Sequence, residues 1–122
     1  MRDFLKSVYF TPKWLYFKIA ALKCKAKRLG VPFNLDEEYL LKLLHDSKGK
    51  CKRTGCPFAT MSFEENRQTW LSIDRIDPKG GYVKGNIDLV IIGYNMGKVN
   101  ATSAATNKMF KKAAAYMNRK RP

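Results

Sequence analysis

The sequence predicts an α+β fold, because two short segments of strand type lie between segments with helical periodicity. Residues 70–76 are rich in bulky side chains and residues 86–92 are mainly apolar, as expected of two neighbouring strands. The chain has 122 residues, of which 45% are hydrophobic, and this is enough for one modest core. We expect a single domain with a basic helical region over 1–47, a core of two strands and a short helix over about 48–100, and a final helix over about 103–118.

The first long helix is predicted between Thr11 and Gly30. Thr11 can cap the helix, Pro12 suits its first position and Gly30 ends it. One stripe at helical spacing is apolar and consists of Leu15, Ile19, Leu22, Ala26 and Leu29. Six cations and no acid fill much of the remaining circumference, namely Lys13, Lys18, Lys23, Lys25, Lys27 and Arg28. This face either follows a phosphate backbone or is simply a solvated surface, and six cations without an acid favour phosphate contact.

A second helix is predicted from Asp36 to between His45 and Ser47. Asp36 can cap it, and Glu37 and Glu38 suit the positive end of its dipole. Its leucines, of which Leu40 can pack on Leu35, make it a core element: Leu40, Leu41, Leu43 and Leu44.

The remaining segments are assigned by their turn residues and periodicity. Residues 48–69 contain Gly49, Gly55 and Pro57 without a clear period and are predicted to form an irregular loop. Residues 78–85 connect the two strands. A short helix is expected from Tyr94 to about Asn100. A longer helix is expected from Ser103 to Asn118, with a buried side formed by Thr106, Phe110, Ala113 and Met117.

The charge of the chain is strongly positive. Lysine and arginine number 24 against 10 acidic residues, which gives a formal net charge of +14. Such a surface attracts a polyanion and releases the counterions condensed on it, so nucleic acid is the leading partner. The alternative is a generic basic protein that adheres to RNA, to membrane surfaces or to other acidic material, because charge alone does not indicate cleavage.

The compartment is predicted from apolar segments and cysteines. The first residues lack the apolar core of a secretory signal, and no window approaches the roughly 20 apolar residues of a membrane span. The odd number of cysteines, three, fits a reducing compartment. We therefore expect an intracellular, cytoplasmic protein that has no membrane contact and is a monomer or a weak homodimer.

Two polar residues stand where the predicted strands and helix converge. Asp74 lies at the end of the first strand, and Asn95 lies at the start of the following helix. A carboxylate and an amide are hard oxygen ligands, and a divalent metal held by them can support phosphodiester hydrolysis. Taken singly, Asp74 is better explained as part of a strand that ends in a charged turn, and Asn86 as part of an ordinary turn. Their joint occurrence in this order is less easily due to chance.

Residues 72–98 resemble the core of the ββα-metal (HNH) nuclease family. The resemblance implies that Asp74 and Asn95 bind one divalent metal, Mg²⁺ or Mn²⁺, that Asn86 holds the turn and orients the catalytic strand, and that Lys98 faces the phosphate backbone. Residues 50–58 are similar to the Cys-x-x-Thr-Gly loop of small, often phage-encoded members, and residues 26–35 to the segment that precedes their core. The implied function is a metal-dependent endonuclease or nickase that acts on double-stranded DNA.

Arg75 occupies the position of the family's general-base histidine. An arginine stays protonated at ordinary pH and cannot take a proton from water. Three explanations are open. Arg75 binds the scissile phosphate while the proton leaves through bulk water or a group such as Asp77; or His45, the single histidine, acts as the base; or the site is degenerate and the protein binds DNA without cutting it.

The candidate catalytic residues are therefore Asp74, Arg75, Asn86 and Asn95. The candidate DNA contacts are Lys18, Lys25, Arg28, Arg75, Lys79, Lys84 and Lys98. Cys51 and Cys56 are spaced too widely for a zinc knuckle and no second pair follows, so we expect no structural zinc and interpret both as small buried residues. Cys24 is expected in the core or at its boundary.

Overall fold

The computed structural model describes residues 2–60, 67–99 and 101–119, and in these ranges the chain has a mixed helical and antiparallel-sheet fold of the α+β class. None of the described helices is both long and apolar enough to cross a membrane. Two 3-10 turns, at Val8–Phe10 and Arg67–Thr69, accompany the regular elements. In chain order these are α1 (Arg2–Leu5), α2 (Pro12–Leu29), α3 (Glu37–Ser47), β1 (Leu71–Arg75), β2 (Ile87–Ile91), α4 (Ile92–Lys98) and α5 (Ser103–Arg119).

The caps predicted for α2 and α3 are confirmed. The Thr11 hydroxyl accepts a hydrogen bond from the Trp14 backbone N–H at 3.3 Å, and Gly30 ends α2 in the left-handed conformation at φ 71°. The Asp36 carboxylate accepts from the Tyr39 N–H at 2.7 Å and starts α3. Within the apolar stripe of α2 the last position differs from expectation, because Leu29 is exposed.

The two strands pair antiparallel, with Leu71 opposite Ile91 and Asp74 opposite Asp88. Every residue of β2 is buried, whereas in β1 Ser72 and Arg75 are half-buried and the other three residues are buried. Because α4 starts at Ile92, directly after β2, the helix turns back across the strand pair without a linker. The ends of β1 and α4 are therefore close together.

The core lies between α2, α3, the strand pair and α4. Its most deeply buried large side chains are Tyr94, Leu40, Leu44 and Val90. Their burial supplies the main stabilisation of a chain of this size. It also fixes α4 against the strands, since Tyr94 anchors that helix in the core.

The segment after α2 is hydrogen-bonded to the loop between β1 and β2. The Tyr82 N–H donates to the Pro32 carbonyl at 2.9 Å, and the Asn34 N–H donates to the Tyr82 carbonyl at 3.2 Å. A Cβ on Gly81 would lie 2.1 Å from the Pro32 carbonyl oxygen, so this approach requires glycine. The end of α2 is thereby held beside the strand pair.

The predicted element boundaries needed small corrections. Trp70 precedes β1, and Asn86 and Ile92 flank β2. The short helix begins at Ile92 rather than Tyr94, because the apolar run of β2 continues directly into it; its expected last residue, Asn100, lies outside the described residues. The N-terminal helix α1 was not predicted.

The predicted buried side of α5 is correct only in its first half. Thr106 is buried and Phe110 stacks on Tyr94 with ring centroids 5.4 Å apart. Ala113 and Met117 were predicted to be buried and are exposed, Met117 at 66%. The reason is that α4, which Phe110 contacts, has only seven residues and is too short to cover the whole of α5.

The cysteine predictions are also corrected in part. Cys51 is buried as expected, but Cys56 and Cys24 are exposed, and all three are free thiols. The Cys51 N–H donates to the Cys56 carbonyl at 2.8 Å, so the backbone rather than a pair of buried side chains closes this loop. Within the described ranges, no group of three or more His, Cys, Asp or Glu side chains is arranged to hold a metal ion.

Candidate functional site

A cleft of about 240 Å³ opens where β1, α4 and α2 meet, and we call it the Asp74 cleft. It is lined by four of the site residues that were predicted in and near the strand pair, and by one cation of α2. Its lining residues are Lys25, Leu29, Ile73, Asp74, Arg75, Pro78, Tyr82, Asn95, Lys98 and Val99. A larger cavity of about 470 Å³ lies elsewhere, beside α3 and β2, and is lined by neither Asp74 nor Asn95.

Asp74 forms an ion pair with Lys98 inside this cleft. Lys98 Nζ lies 2.8 Å from Asp74 Oδ2, and the two residues are 2% and 6% exposed. The same ammonium donates to the Arg75 carbonyl and, at 3.1 Å, to the Ile76 carbonyl. Lys98 therefore points into the protein in this structure, whereas the family resemblance implied that it faces a phosphate backbone.

A second ion pair lies directly across the strands. Asp88 faces Asp74 in the sheet register, and Asp88 Oδ2 is 2.6 Å from Arg53 Nη2 and 2.7 Å from Arg53 Nε. Burial raises the pKa of the Asp74 carboxyl above its usual value; the hydrogen bond and charge of Lys98 oppose this rise, and the charge of Asp88 adds to it. Two carboxylates and two cations thus form one compact, charge-balanced group.

Asn95 reaches the cleft from α4. Its Nδ2 donates to the Ser72 hydroxyl at 2.8 Å, so the other amide atom, Oδ1, is the one suited to bind a cation. The oxygens of Asp74 and Asn95 are of the type that Mg²⁺ or Mn²⁺ prefers, and two protein ligands suffice where water and phosphate complete the shell. These two oxygen ligands fit a hard divalent ion. In this structure, however, the Asp74 carboxylate is bound to the Lys98 ammonium.

Arg75 is half-buried and bound to the loop between the strands. Its Nη1 donates to the Pro78 carbonyl at 2.6 Å and to the Gly80 carbonyl at 3.3 Å, and the guanidinium lies 5.2 Å from the centre of the Tyr82 ring. The side chain both lines the cleft and holds the loop. A guanidinium has five N–H donors, so these contacts do not use all of its binding capacity.

Asn86 holds the same loop from its other end. Its Oδ1 accepts from the Asp77 N–H at 3.1 Å, and its Nδ2 donates to the carbonyls of Asp77 at 3.1 Å and Gly81 at 2.9 Å. These three bonds close the loop over residues 77–86. Asn86 is not among the cleft-lining residues, and its position suits holding the turn rather than contacting a substrate.

Of the three predicted DNA contacts on α2, Lys25 lines the cleft and the other two do not. Lys25 is exposed, lines the cleft and lies 5.9 Å from the Tyr82 ring centre. Lys18 is half-buried against the Trp14 ring, and its pKa is lowered by burial and, to a lesser extent, by the charge of Lys25. Arg28 is exposed near the end of the same helix.

The other selected residues lie outside the cleft. Lys79 is exposed on the loop, and Lys84 pairs with Asp36 at 3.1 Å. His45 is exposed and packs on the Phe10 ring with centroids 5.0 Å apart, and Asp77 accepts from the Lys79 N–H at 2.9 Å. Neither His45 nor Asp77, the two groups considered as a general base, is a cleft-lining residue.

Three residues that contact one another or the predicted site residues in this region were not selected from the sequence, namely Arg53, Asp88 and Ser72. One signal was present: Asp88 is the only charged residue in the apolar run of β2, and a buried carboxylate requires a cation or several donors. A second was the spacing of Tyr94 and Lys98, which are four residues apart and share one face of a helix. The sequence alone does not identify which cation forms an ion pair with each carboxylate.

Comparisons with protein-family models, with curated proteins and with solved structures found nothing that matches this chain. The family resemblance of residues 72–98 therefore stays a prediction. What supports a function is the geometry of the Asp74 cleft and the charge of the chain.

Proposed function

We propose that this protein is a metal-dependent DNA endonuclease or nickase with a catalytic core of the ββα-metal type. The observation that carries the proposal is that Asp74 on β1 and Asn95 on α4 line one cleft, which also contains Arg75 and Lys25. Two hard oxygen ligands next to two cations form a suitable arrangement for a phosphodiester and a divalent ion.

In the proposed reaction, Asp74 and Asn95 would hold the metal through their side-chain oxygens. A bound Mg²⁺ or Mn²⁺ would supply charge stabilisation at the phosphoryl oxygens and the leaving 3′ oxygen. Lys25 attracts the phosphate into the cleft, and Arg75 offers it further N–H donors. Asn86 keeps the loop that carries Arg75 in place.

The proton of the attacking water has no evident acceptor among the residues lining the cleft. Arg75 cannot take it, and His45 and Asp77 do not line the cleft. Bulk water is then the acceptor, and loss of a positioned general base lowers a rate by about 10²–10⁴. The enzyme is accordingly expected to be slow, and nicking is expected to precede any double-strand cut.

The proposed substrate is DNA because of the charge. A formal charge of +14, the cleft-lining cation Lys25 and the exposed cations Arg28 and Lys79 favour a polyanion. Double-stranded DNA is the form implied by the family resemblance. Affinity that falls steeply with salt concentration is the expected signature.

A second function is favoured by two contacts in the cleft. Arg75 is bonded to loop carbonyls, and Lys98 binds the carboxylate that a metal would need. These contacts suit a protein that uses the same framework to bind DNA without cutting it. Such a protein needs the cations but has no use for a hard-metal site.

Cleavage of supercoiled plasmid separates the two functions. The assay compares wild type with Asn95→Ala, which removes a proposed ligand without disturbing the Asp74–Lys98 pair, and with Asp77→Asn, which removes an exposed acid outside the cleft. We expect Mg²⁺- or Mn²⁺-dependent conversion to open circles by wild type and Asp77→Asn, and none by Asn95→Ala or with EDTA. A clear gel shift from all three proteins without conversion by any would support the binding function instead.

A further inference from the structure

The surroundings of the Lys98 ammonium resemble those of a bound cation. Nζ contacts three oxygens, one from the Asp74 carboxylate and one each from the Arg75 and Ile76 carbonyls. The Ile76 carbonyl also accepts from the Ser103 N–H at 3.1 Å, which ties this oxygen to the start of α5. The ammonium therefore lies in a preformed oxygen-lined position at the end of β1.

The charge balance leaves no excess of negative charge for a second cation. Asp74 is paired with Lys98, and the facing Asp88 is paired with Arg53. A divalent ion added at Asp74 with Lys98 in place would leave two net positive charges in a buried group. Because burial makes uncompensated charge costly, the ion is accommodated only when the ammonium leaves.

The backbone next to Lys98 is strained. Val99 has φ 54° and ψ −115°, a conformation that a β-branched residue rarely adopts, and its side chain is 76% exposed. The strain lies immediately after Lys98, the last residue of α4. The residue that carries the ammonium is thus adjacent in sequence to a point of backbone strain.

From these observations we propose that Lys98 is an internal competitor for the metal: its ammonium occupies the cation position at Asp74, and a divalent ion binds there only by displacing it. The inference rests on the proposed function for the identity of the site. In this arrangement the wild-type cleft binds a free divalent ion weakly. A DNA phosphate that draws Lys98 outward would bind the released ammonium and leave the Asp74 carboxylate free to bind the metal. Metal and DNA would therefore bind together.

Binding of Mn²⁺ in the absence of DNA, measured by isothermal titration calorimetry, tests the competition directly. The proteins are wild type, Lys98→Met, the double variant Lys98→Met/Asp74→Asn, and the control Lys108→Met, which removes an exposed cation of α5. We expect Lys98→Met to bind Mn²⁺ at least about ten-fold more tightly than wild type, which corresponds to about 1.4 kcal/mol. The gain should vanish in the double variant, and Lys108→Met should bind as wild type does.

Folding of the variants is followed by circular dichroism with EDTA and with Mn²⁺. Lys98→Met leaves a buried carboxylate without its cation, and where this unfolds the protein, Mn²⁺ in the millimolar range should restore the fold, because binding to the native site stabilises it. A Lys98→Met protein that stays unfolded in millimolar Mn²⁺ would overturn the proposal.

The remaining outcomes separate this inference from the proposed function. Equal affinity of wild type and Lys98→Met, lost with Asp74→Asn, would overturn the competition while leaving a metal site for a nuclease. Absence of binding by every protein would overturn both. Tight binding by Lys98→Met, together with wild-type protein that shifts DNA but never cleaves it, would support the competition and reject the nuclease.

Discussion

Asp74 and Asp88 are direct partners across the antiparallel strands, and each carboxylate is bound by a cation from a different part of the chain. Like charges opposite each other destabilise a strand pair unless they are neutralised. Lys98 from α4 and Arg53 from the loop after α3 provide this neutralisation. The strand pair, the helix and the loop are therefore coupled through four charges.

Removal of one member of the Asp74–Lys98 pair should be strongly destabilising. We expect Asp74→Asn to lower the free energy of unfolding by about 3–5 kcal/mol, because it leaves the Lys98 ammonium buried without a counter-charge. The double variant Asp74→Asn/Lys98→Met should regain most of this loss. Urea denaturation of the two single variants and the double variant measures the coupling, and Asp77→Asn is the exposed control. Additive losses would contradict the pairing.

Relief of the strain at Val99 should stabilise the protein. Glycine tolerates a positive φ, and we expect Val99→Gly to raise the free energy of unfolding by about 1 kcal/mol. The control is Val8→Gly, at an exposed valine without a positive φ, which should lower stability because glycine adds entropy to the unfolded chain. Thermal melting compares the two, and a loss at both positions would argue against strain at Val99.

Gly81 should tolerate no side chain. Its Cβ would meet the Pro32 carbonyl oxygen at 2.1 Å, and a backbone atom cannot rotate away. We expect Gly81→Ala to cost about 3 kcal/mol or more. Gly93 in α4 is the matched control, since its Cβ would make an ordinary contact at 3.4 Å with Gln68 and alanine favours a helix. Chemical denaturation that shows equal effects at both glycines would contradict the close approach.

The Asp36 cap should make stability depend on pH in the acid range. Its pKa is lowered from 3.8 by the Tyr39 backbone N–H and, less strongly, by Lys84. A carboxyl with a lowered pKa contributes stability that is complete above its unfolded value and is lost as the pH falls through its folded value. Asp36→Asn should therefore be less stable than wild type at pH 7 and approach it as the pH falls below 3.8, the ordinary value of this carboxyl.

The control for this pH series is Glu38→Gln, which removes an exposed charge from the same turn but leaves the cap. Thermal melting from pH 2 to pH 7 should show a larger difference from wild type at pH 7 for Asp36→Asn than for Glu38→Gln, and the difference for Asp36→Asn should close at acid pH. A difference for Asp36→Asn that stays constant over this range would show that Asp36 acts without regard to its charge.

Lys25 should contribute one phosphate contact. If DNA enters the Asp74 cleft, Lys25→Gln should reduce the slope of log affinity against log salt by about one unit. Lys108→Gln, at an exposed position of α5, is the matched control and should leave the slope unchanged. Fluorescence anisotropy over a salt series measures both slopes, and equal reductions would indicate diffuse attraction rather than entry into the cleft.

The helices and strands were predictable because their signals are local. Thr11, Asp36 and Gly30 act on the backbone within one turn, and the apolar runs report a buried face. The exposure of Met117 was not predictable, because an apolar stripe indicates that a helix is amphipathic but does not tell how far a partner extends along it. The error on α5 is therefore one of packing and not of secondary structure.

Several residues that line the Asp74 cleft were predicted from the sequence, but the bonds between them were not. Asp74, Arg75 and Asn95 line one cleft, as the order of the elements suggested. The inward direction of Lys98 could not be inferred, since it depends on two carbonyls at the end of β1 that only the folded chain brings to Nζ. Whether a lysine is buried in an ion pair or exposed at the surface depends on whether the folded chain places such oxygens within reach of its ammonium.

The hydrogen bonds between Pro32, Asn34 and Tyr82 have a consequence for how the chain can be dissected. A fragment that begins at residue 48 would keep both strands but would leave the Tyr82 N–H and carbonyl without their partners. Contacts about fifty residues apart in sequence also cost loop-closure entropy, because a long loop must close to form them. The strand pair is thus no independent cassette, and transplanting it into another scaffold would require bringing the segment after α2 with it.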